Sequence, residues 1–148
     1  MRRLKILLLP CMLAILMVSG VNSAFASREH PSIFINNEKL DIYAGVSSLG
    51  TTLVPMRPIF EAYGMTVEWD NNTKSVTATK GETTIKLTHN SYEAYLNGEV
   101  VKLNQVPTLE PTRKTFYVNL RFISESLGAT VVWNKTANDA SVNIIFPQ

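Results

Sequence analysis

A nineteen-residue stretch occurs twice in this chain, and the duplication constrains the fold more than any local signal does. Thr52 to Asp70 reads TLVPMRPIFEAYGMTVEWD, and Phe116 to Asn134, sixty-four positions on, reads FYVNLRFISESLGATVVWN. Without a gap, Val54 falls on Val118, Arg57 on Arg121, Ile59 on Ile123, Glu61 on Glu125, Gly64 on Gly128, Thr66 on Thr130, Val67 on Val131 and Trp69 on Trp133. Eight identities over the seventeen positions from Val54 to Asp70 mark an internal repeat. A repeat decides the architecture before any propensity is consulted.

Each copy predicts an extended entry, a short helix, a stop and a strand. Pro55 biases Val54 toward extended geometry, and Pro58 suits the first turn of a helix, where its missing N–H is no loss. Gly64 and Gly128 stand where a left-handed helix cap is expected. The second helix should run from Leu120 to Leu127. Met65 to Trp69 alternates apolar and polar residues, the period of a half-buried strand, and Ser75 to Thr79 is read as a further strand after an Asp/Asn turn. In the second copy the strands are placed at Thr130 to Trp133 and Ser141 to Ile145, with a turn two residues longer between them.

Hairpins precede both units. Ile35-Asn36-Asn37-Glu38 matches Leu96-Asn97-Gly98-Glu99, and Asn and Gly accept the positive φ that a two-residue hairpin turn demands. Glu82 to Thr88 reads as a connecting strand. Tyr43 to Thr52 and Asn104 to Lys114 read as loops. The expected fold is therefore α+β, with six to ten strands. Antiparallel sheet wraps on two short helices, in two similar hairpin–helix–strand–strand units at about residues 32–80 and 92–146 of a domain spanning 32–146. A two-turn helix is marginal alone, so Ile59, Tyr63, Ile123 and Leu127 should hold it by packing, with Trp69 and Trp133 returning to cover it.

The N-terminus carries an address. Arg2, Arg3 and Lys5 precede an apolar run of thirteen residues, Ile6 to Val18, and small polar residues lead to Ala24-Phe25-Ala26. This is the three-part pattern of a secretory signal peptide cleaved near Ala26. The run falls short of the roughly 20 residues a spanning helix needs, so no stable membrane span is expected once the signal is removed. Cys11 is an ordinary residue of that run. Three of the 14 Lys+Arg and none of the 12 Asp+Glu lie in the signal, leaving the mature chain with 11 against 12. The basic balance thus belongs to the address, and nucleic acid is excluded as the partner that charge would suggest. The mature chain also lacks cysteine, which removes disulfides, thiolate metal sites and a cysteine nucleophile.

Little in the chain carries chemistry. Arg57 and Glu61 are four apart, as are Arg121 and Glu125, so each pair shares a helix face. They recur together with Gly64, Trp69, Gly128 and Trp133, as a packing motif would, and are read as structural ion pairs in which the Arg also binds carbonyls at the helix entry. His30 and His89 are the only histidines, too few for a metal centre of three or four ligands. Glu68 with Asp70 and Glu93 with Glu99 sit on hairpins as solvated carboxylates. Asn71-Asn72-Thr73 and Asn134-Lys135-Thr136 fit a glycosylation acceptor pattern but are read as turns. No nucleophile elbow or phosphate loop is present. Tyr43, Tyr92, Tyr95 and Tyr117 are candidates for a ligand surface. No catalytic residue, metal or cofactor is expected. Function is expected where the copies differ, in Tyr43 to Gly50, His89 to Tyr95 and Asn104 to Lys114.

The runs VPMRPIFEAYGMTVEWD and VNLRFISESLGATVVWN, with the I-N-N-E and L-N-G-E hairpins before them, resemble the copper amine oxidase N-terminal-like domain, or stalk domain. The resemblance covers about Ile33 to Ile145. It departs at Met56, where the family has Leu, and at Asn119, where it has Pro, a change expected to loosen the second helix entry. It implies an accessory antiparallel sheet wrapped on a helix. The copper and quinone of such oxidases belong to a separate domain that needs three His and a tyrosine in a T-x-x-N-Y setting, which this chain lacks. The chain is accordingly expected to be a secreted or envelope-associated, non-catalytic module, structural or ligand-binding, whose partner is a cell-envelope glycan or another exported protein. The alternatives are a protein-docking or inhibitor domain and a small carboxylate-dependent hydrolase.

Overall fold

The computed structural model describes residues 30–136 and 139–147. The expected signal segment, residues 1–26, lies outside them. Thirteen strands and two helices follow in the order β1 (Ser32–Ile35), β2 (Glu38–Leu40), β3 (Gly45–Val46), β4 (Thr52–Pro55), α1 (Met56–Ala62), β5 (Thr66–Asp70), β6 (Ser75–Lys80), β7 (Thr83–Thr88), β8 (Glu93–Leu96), β9 (Glu99–Lys102), β10 (Thr108–Glu110), β11 (Thr115–Asn119), α2 (Leu120–Ser126), β12 (Thr130–Lys135) and β13 (Ala140–Ile145). The fold is α+β and mostly antiparallel. The count exceeds the expected six to ten strands partly because β3 and β10 fall in segments read as loops. Two- and three-residue strands carry no period of their own, and only pairing with β4 and β11 makes them extended. β12 also runs on through Asn134 and Lys135, so the second acceptor pattern begins in a strand and not in a turn.

The repeat closes on itself about a pseudo-twofold axis. β4 and β11 pair antiparallel with Val54 opposite Val118, Leu53 opposite Asn119 and Pro55 opposite Tyr117. Val54 and Val118 are equivalent positions of the two copies, and the flanking pairs exchange under the same rotation, so the axis passes through this pair. Both valines are buried, at 0% and 1% exposure. α1 packs on β11 as well as β4, and α2 on β4 as well as β11. Farther along, the Tyr63 hydroxyl donates to the Leu127 carbonyl at 3.4 Å, joining another pair of equivalent positions.

The hairpins do not stay with their own copies. The three sheets run β12-β13-β1-β2, β10-β11-β4-β3 and β5-β6-β7-β8-β9. The first-copy hairpin β1–β2 joins the second copy's terminal strands through a parallel β1–β13 pair, and the second-copy hairpin β8–β9 reaches the first copy's strands through β7. Each of the three sheets thus takes strands from both halves of the chain, with β4 and β11 as the shared seam.

Local chemistry explains the helix ends. The Gly64 N–H donates to the Glu61 carbonyl at 2.8 Å and the Met65 N–H to the Phe60 carbonyl at 2.9 Å. Gly128 and Ala129 repeat the pattern on Glu125 and Ser124 at 3.0 and 2.9 Å. This is the Schellman closure, and its left-handed residue falls on the two glycines, at φ +80° and +72°. At the other end, α1 starts behind Pro55 with no side-chain cap. Asn119, by contrast, accepts the Phe122 N–H at 3.2 Å and donates to the Asn104 side chain at 2.6 Å. The expected loosening at Asn119 is therefore reversed, because an Asn cap contributes about 1 kcal/mol.

Two turns are held by carboxylates. Asp70 accepts the Thr73 hydroxyl and the Asn72 N–H, both at 2.8 Å, and Glu110 accepts the Arg113 N–H at 2.7 Å. The Thr73 hydroxyl, then the Asn72 N–H, hold Asp70 below its ordinary pKa of 3.8, and the Arg113 N–H chiefly holds Glu110 below 4.5. A carboxyl lowered in the folded state stabilises the fold above its unfolded pKa, and that contribution is lost as pH falls through the folded value. The melting temperature of the wild type should therefore fall more steeply on the acid side of pH 3.8 than that of Asp70→Asn. Equal slopes would remove the Asp70 bonds from the acid response.

Candidate functional site

The axis generates two equivalent clefts, each built by the helix entry and tryptophan of one copy and the short hairpin of the other. The first, about 720 Å³, is lined by Met56, Arg57 and Trp69 from the first copy and by Leu109, Lys114 and Phe116 from β10–β11, among others. The second, about 440 Å³, takes Leu120, Arg121 and Trp133 from the second copy and Leu49, Gly50 and Thr52 from β3–β4, with Asn104 and Asn119 beside them. Shifting the second set by the repeat lays Leu120 on Met56, Arg121 on Arg57, Trp133 on Trp69, Gly50 on Lys114 and Thr52 on Phe116. Two of the divergent segments expected to carry function, Tyr43 to Gly50 and Asn104 to Lys114, supply the facing walls.

The clefts have diverged through those walls. Trp69 is half-buried and meets Phe116 edge-on, with ring centroids 5.4 Å apart and planes at 60°. Where Phe116 stands in the first cleft, the second has Thr52, and Trp133 remains 38% exposed. The expectation that both tryptophans cover the core thus fails for Trp133, which has lost the aromatic partner across the axis. Of the residues lining the first cleft, Arg57 and Lys114 are cations and none is a carboxylate. Lys114 is exposed, at φ +52°.

Arg57 and Arg121 each reach a glutamate one turn on, Glu61 and Glu125, at 3.4 Å, with all four side chains more than half exposed. No carbonyl partner accompanies either guanidinium among the described residues, so the expected carbonyl bonds at the helix entry are absent there. An exposed pair at this spacing contributes about 0.3–0.5 kcal/mol. Arg121→Ala should accordingly lower stability in urea by about 0.5 kcal/mol or less, and a loss above about 2 kcal/mol would give the pair a structural role that its exposure denies.

The four tyrosines are spread over separate elements. Tyr117 lies in β11, Tyr95 on the outer face of β8 beside Lys86 and Val100, and Tyr92 in the turn before β8. Tyr43, in the loop before β3, accepts or donates at 2.8 Å with His30 Nε2, and the Arg113 guanidinium lies 5.3 Å from its ring centre. No ring contact joins any two of them among the described residues. His30 Nδ1 lies 3.1 Å from the Ala44 carbonyl oxygen, which can only accept. His89 Nδ1 accepts the Leu109 N–H at 3.0 Å and fixes the free edge of β10. Among the described residues no three His, Cys, Asp or Glu come together as a metal-binding group, and no helix is long and apolar enough to cross a membrane.

Sequence reasoning missed the clefts because their walls come from opposite copies. A usable signal was present in the aligned differences, Phe116 against Thr52 and Lys114 against Gly50. Comparison with known proteins places the chain in context. A family model described as copper amine oxidase N-terminal domain matches residues 34–142. No curated protein matches the sequence significantly.

Proposed function

The chain belongs to the copper amine oxidase N-terminal domain family, and from that membership we propose that it is an exported, non-catalytic accessory module that binds a cell-envelope component. The single observation that carries this reading is the extent of the family match, which takes in both copies of the repeat. The three-part N-terminal pattern ending at Ala26 supports export. The two glutamates that the repeat duplicates, Glu61 and Glu125, lie on different helices, and each is engaged by its own arginine.

Fractionation of the producing cell tests the proposal together with a sedimentation assay on purified cell wall. The expected result is a protein beginning near Ser27 in the exported fraction, with the mature chain co-sedimenting with wall material. Retention in the cytoplasm with an intact N-terminus overturns the export. A hydrolytic activity lost in Glu61→Ala or Glu125→Ala, with the melting temperature unchanged, overturns the non-catalytic assignment.

A further inference from the structure

We propose that the Trp69 cleft is a binding site for an acidic glycan unit, a sugar ring bearing a carboxylate, and that the Trp133 cleft is its inactive counterpart; this rests on the reading of the chain as an envelope-binding module. Three features of the cleft carry the argument. Its size, about 720 Å³, lies in the range of small-ligand sites. Its wall includes a half-buried indole that Phe116 holds edge-on at 5.4 Å, which leaves the ring fixed for stacking against the apolar C–H face of a sugar. Its charged lining is one-sided, with Arg57 and Lys114 and no carboxylate. Glu61 offsets Arg57 from outside the cleft at 3.4 Å. Lys114 has no ion-pair or hydrogen-bond partner among the described residues and is the cation free to meet a ligand carboxylate.

The symmetry provides the comparison. At the position of Lys114 the other copy has Gly50, which also adopts positive φ, at +76°. Lys114 is held at +52°, a region where Gly is at ease and other residues are uncommon. Lys74 adopts the same geometry in its turn, but its amine is taken by Asn71 at 2.7 Å. The second cleft keeps Arg121 and Trp133, but it has Gly50 where Lys114 stands and Thr52 where Phe116 stands, and its volume is about 440 Å³. The first cleft thus has a second cation, a ring that braces its indole and more room, none of which its counterpart has.

A peptide fits the site less well. An extended peptide would gain affinity by pairing with the free edge of β10, but the Leu109 N–H at that edge is already donated to His89. The occupant must bind through side-on stacking and charge.

Titration of the mature protein with tetragalacturonic acid, followed by tryptophan fluorescence and NMR, tests the site. We expect saturable binding that shifts the Trp69 indole resonance and leaves Trp133 in place. Fully methyl-esterified tetragalacturonate should bind at least tenfold more weakly. Lys114→Gly should also weaken binding at least tenfold with an unchanged or higher melting temperature, since Gly suits the backbone there. Trp133→Ala should bind as the wild type does. Equal affinity for the ester, an unaffected Lys114→Gly variant, or preferential binding of an acidic peptide would each overturn the proposal. Wall co-sedimentation that survives Lys114→Gly removes this cleft and leaves the module reading standing, whereas its absence in the wild type removes the module reading itself.

Discussion

Residues 30–81 and 82–147, produced as separate chains, should each be unfolded, and mixing them should restore the fold. The cut falls in the two-residue turn between Lys80 and Thr83, where Gly81 sits exposed at φ +58°, so severing it removes no packing. What each half loses is its partners. The β1–β2 hairpin has no further sheet neighbour within the first half, because β1 pairs on its other side with β13. β4 loses β11, and with it the Val54–Val118 contact on the axis. Each half keeps one seven-residue helix, far below the length at which a helix is stable alone. Circular dichroism and amide dispersion in NMR would read the result. A cooperative melt from either half by itself would show that a copy of the repeat is a domain, contrary to the exchanged hairpins.

Phe60→Ala should cost about 3–5 kcal/mol, and Ser124→Ala much less, although the repeat makes these positions equivalent and both are 0% exposed. Phe60 fills the interior from α1, while Ser124 returns its hydroxyl to the Leu120 carbonyl at 2.9 Å, leaving the space beside α2 to others. At 0% exposure the Ser124 side chain is enclosed on all sides, and a phenyl ring there has no solvent-facing space to enter. Ser124→Phe should therefore also destabilise, by about 1–3 kcal/mol through overpacking. At roughly 4–8 °C per kcal/mol for a domain somewhat smaller than this one, Phe60→Ala should lower the melting temperature by about 10 °C or more. Equal losses from Phe60→Ala and Ser124→Ala in urea denaturation would show that the core is filled symmetrically after all.

The elements were legible wherever residue chemistry acts locally. Gly64 and Gly128 stop the helices, and Asn36-Asn37 and Asn97-Gly98 turn the hairpins with the positive φ that their residue types allow. The alternation through Val67 and Trp69 identified the inward face of β5. Partners were not legible. Alternation says which face of β1 is buried, and it is silent on whether Ile33 lies opposite a residue of its own copy or opposite Val142. The divergence of the clefts was hidden for the same reason. Trp69 and Trp133 occupy the same motif position, yet their environments are decided by Phe116 and Thr52, which pair with them only across the axis. Asn119 was misread because its departure from proline was weighed as a loss of backbone restraint, when its side chain supplies a cap that proline cannot.

The parallel pairing of β1 with β13 has a consequence in time. Ile33 and Val142 are neighbours in space and 109 positions apart in the chain, so the strand pairing with the largest loop to close is among those that complete the fold. A chain emerging N-terminus first holds the β1–β2 hairpin without β13 until this last strand has appeared. Such a protein stays open through most of its synthesis and locks when β13 reaches β1.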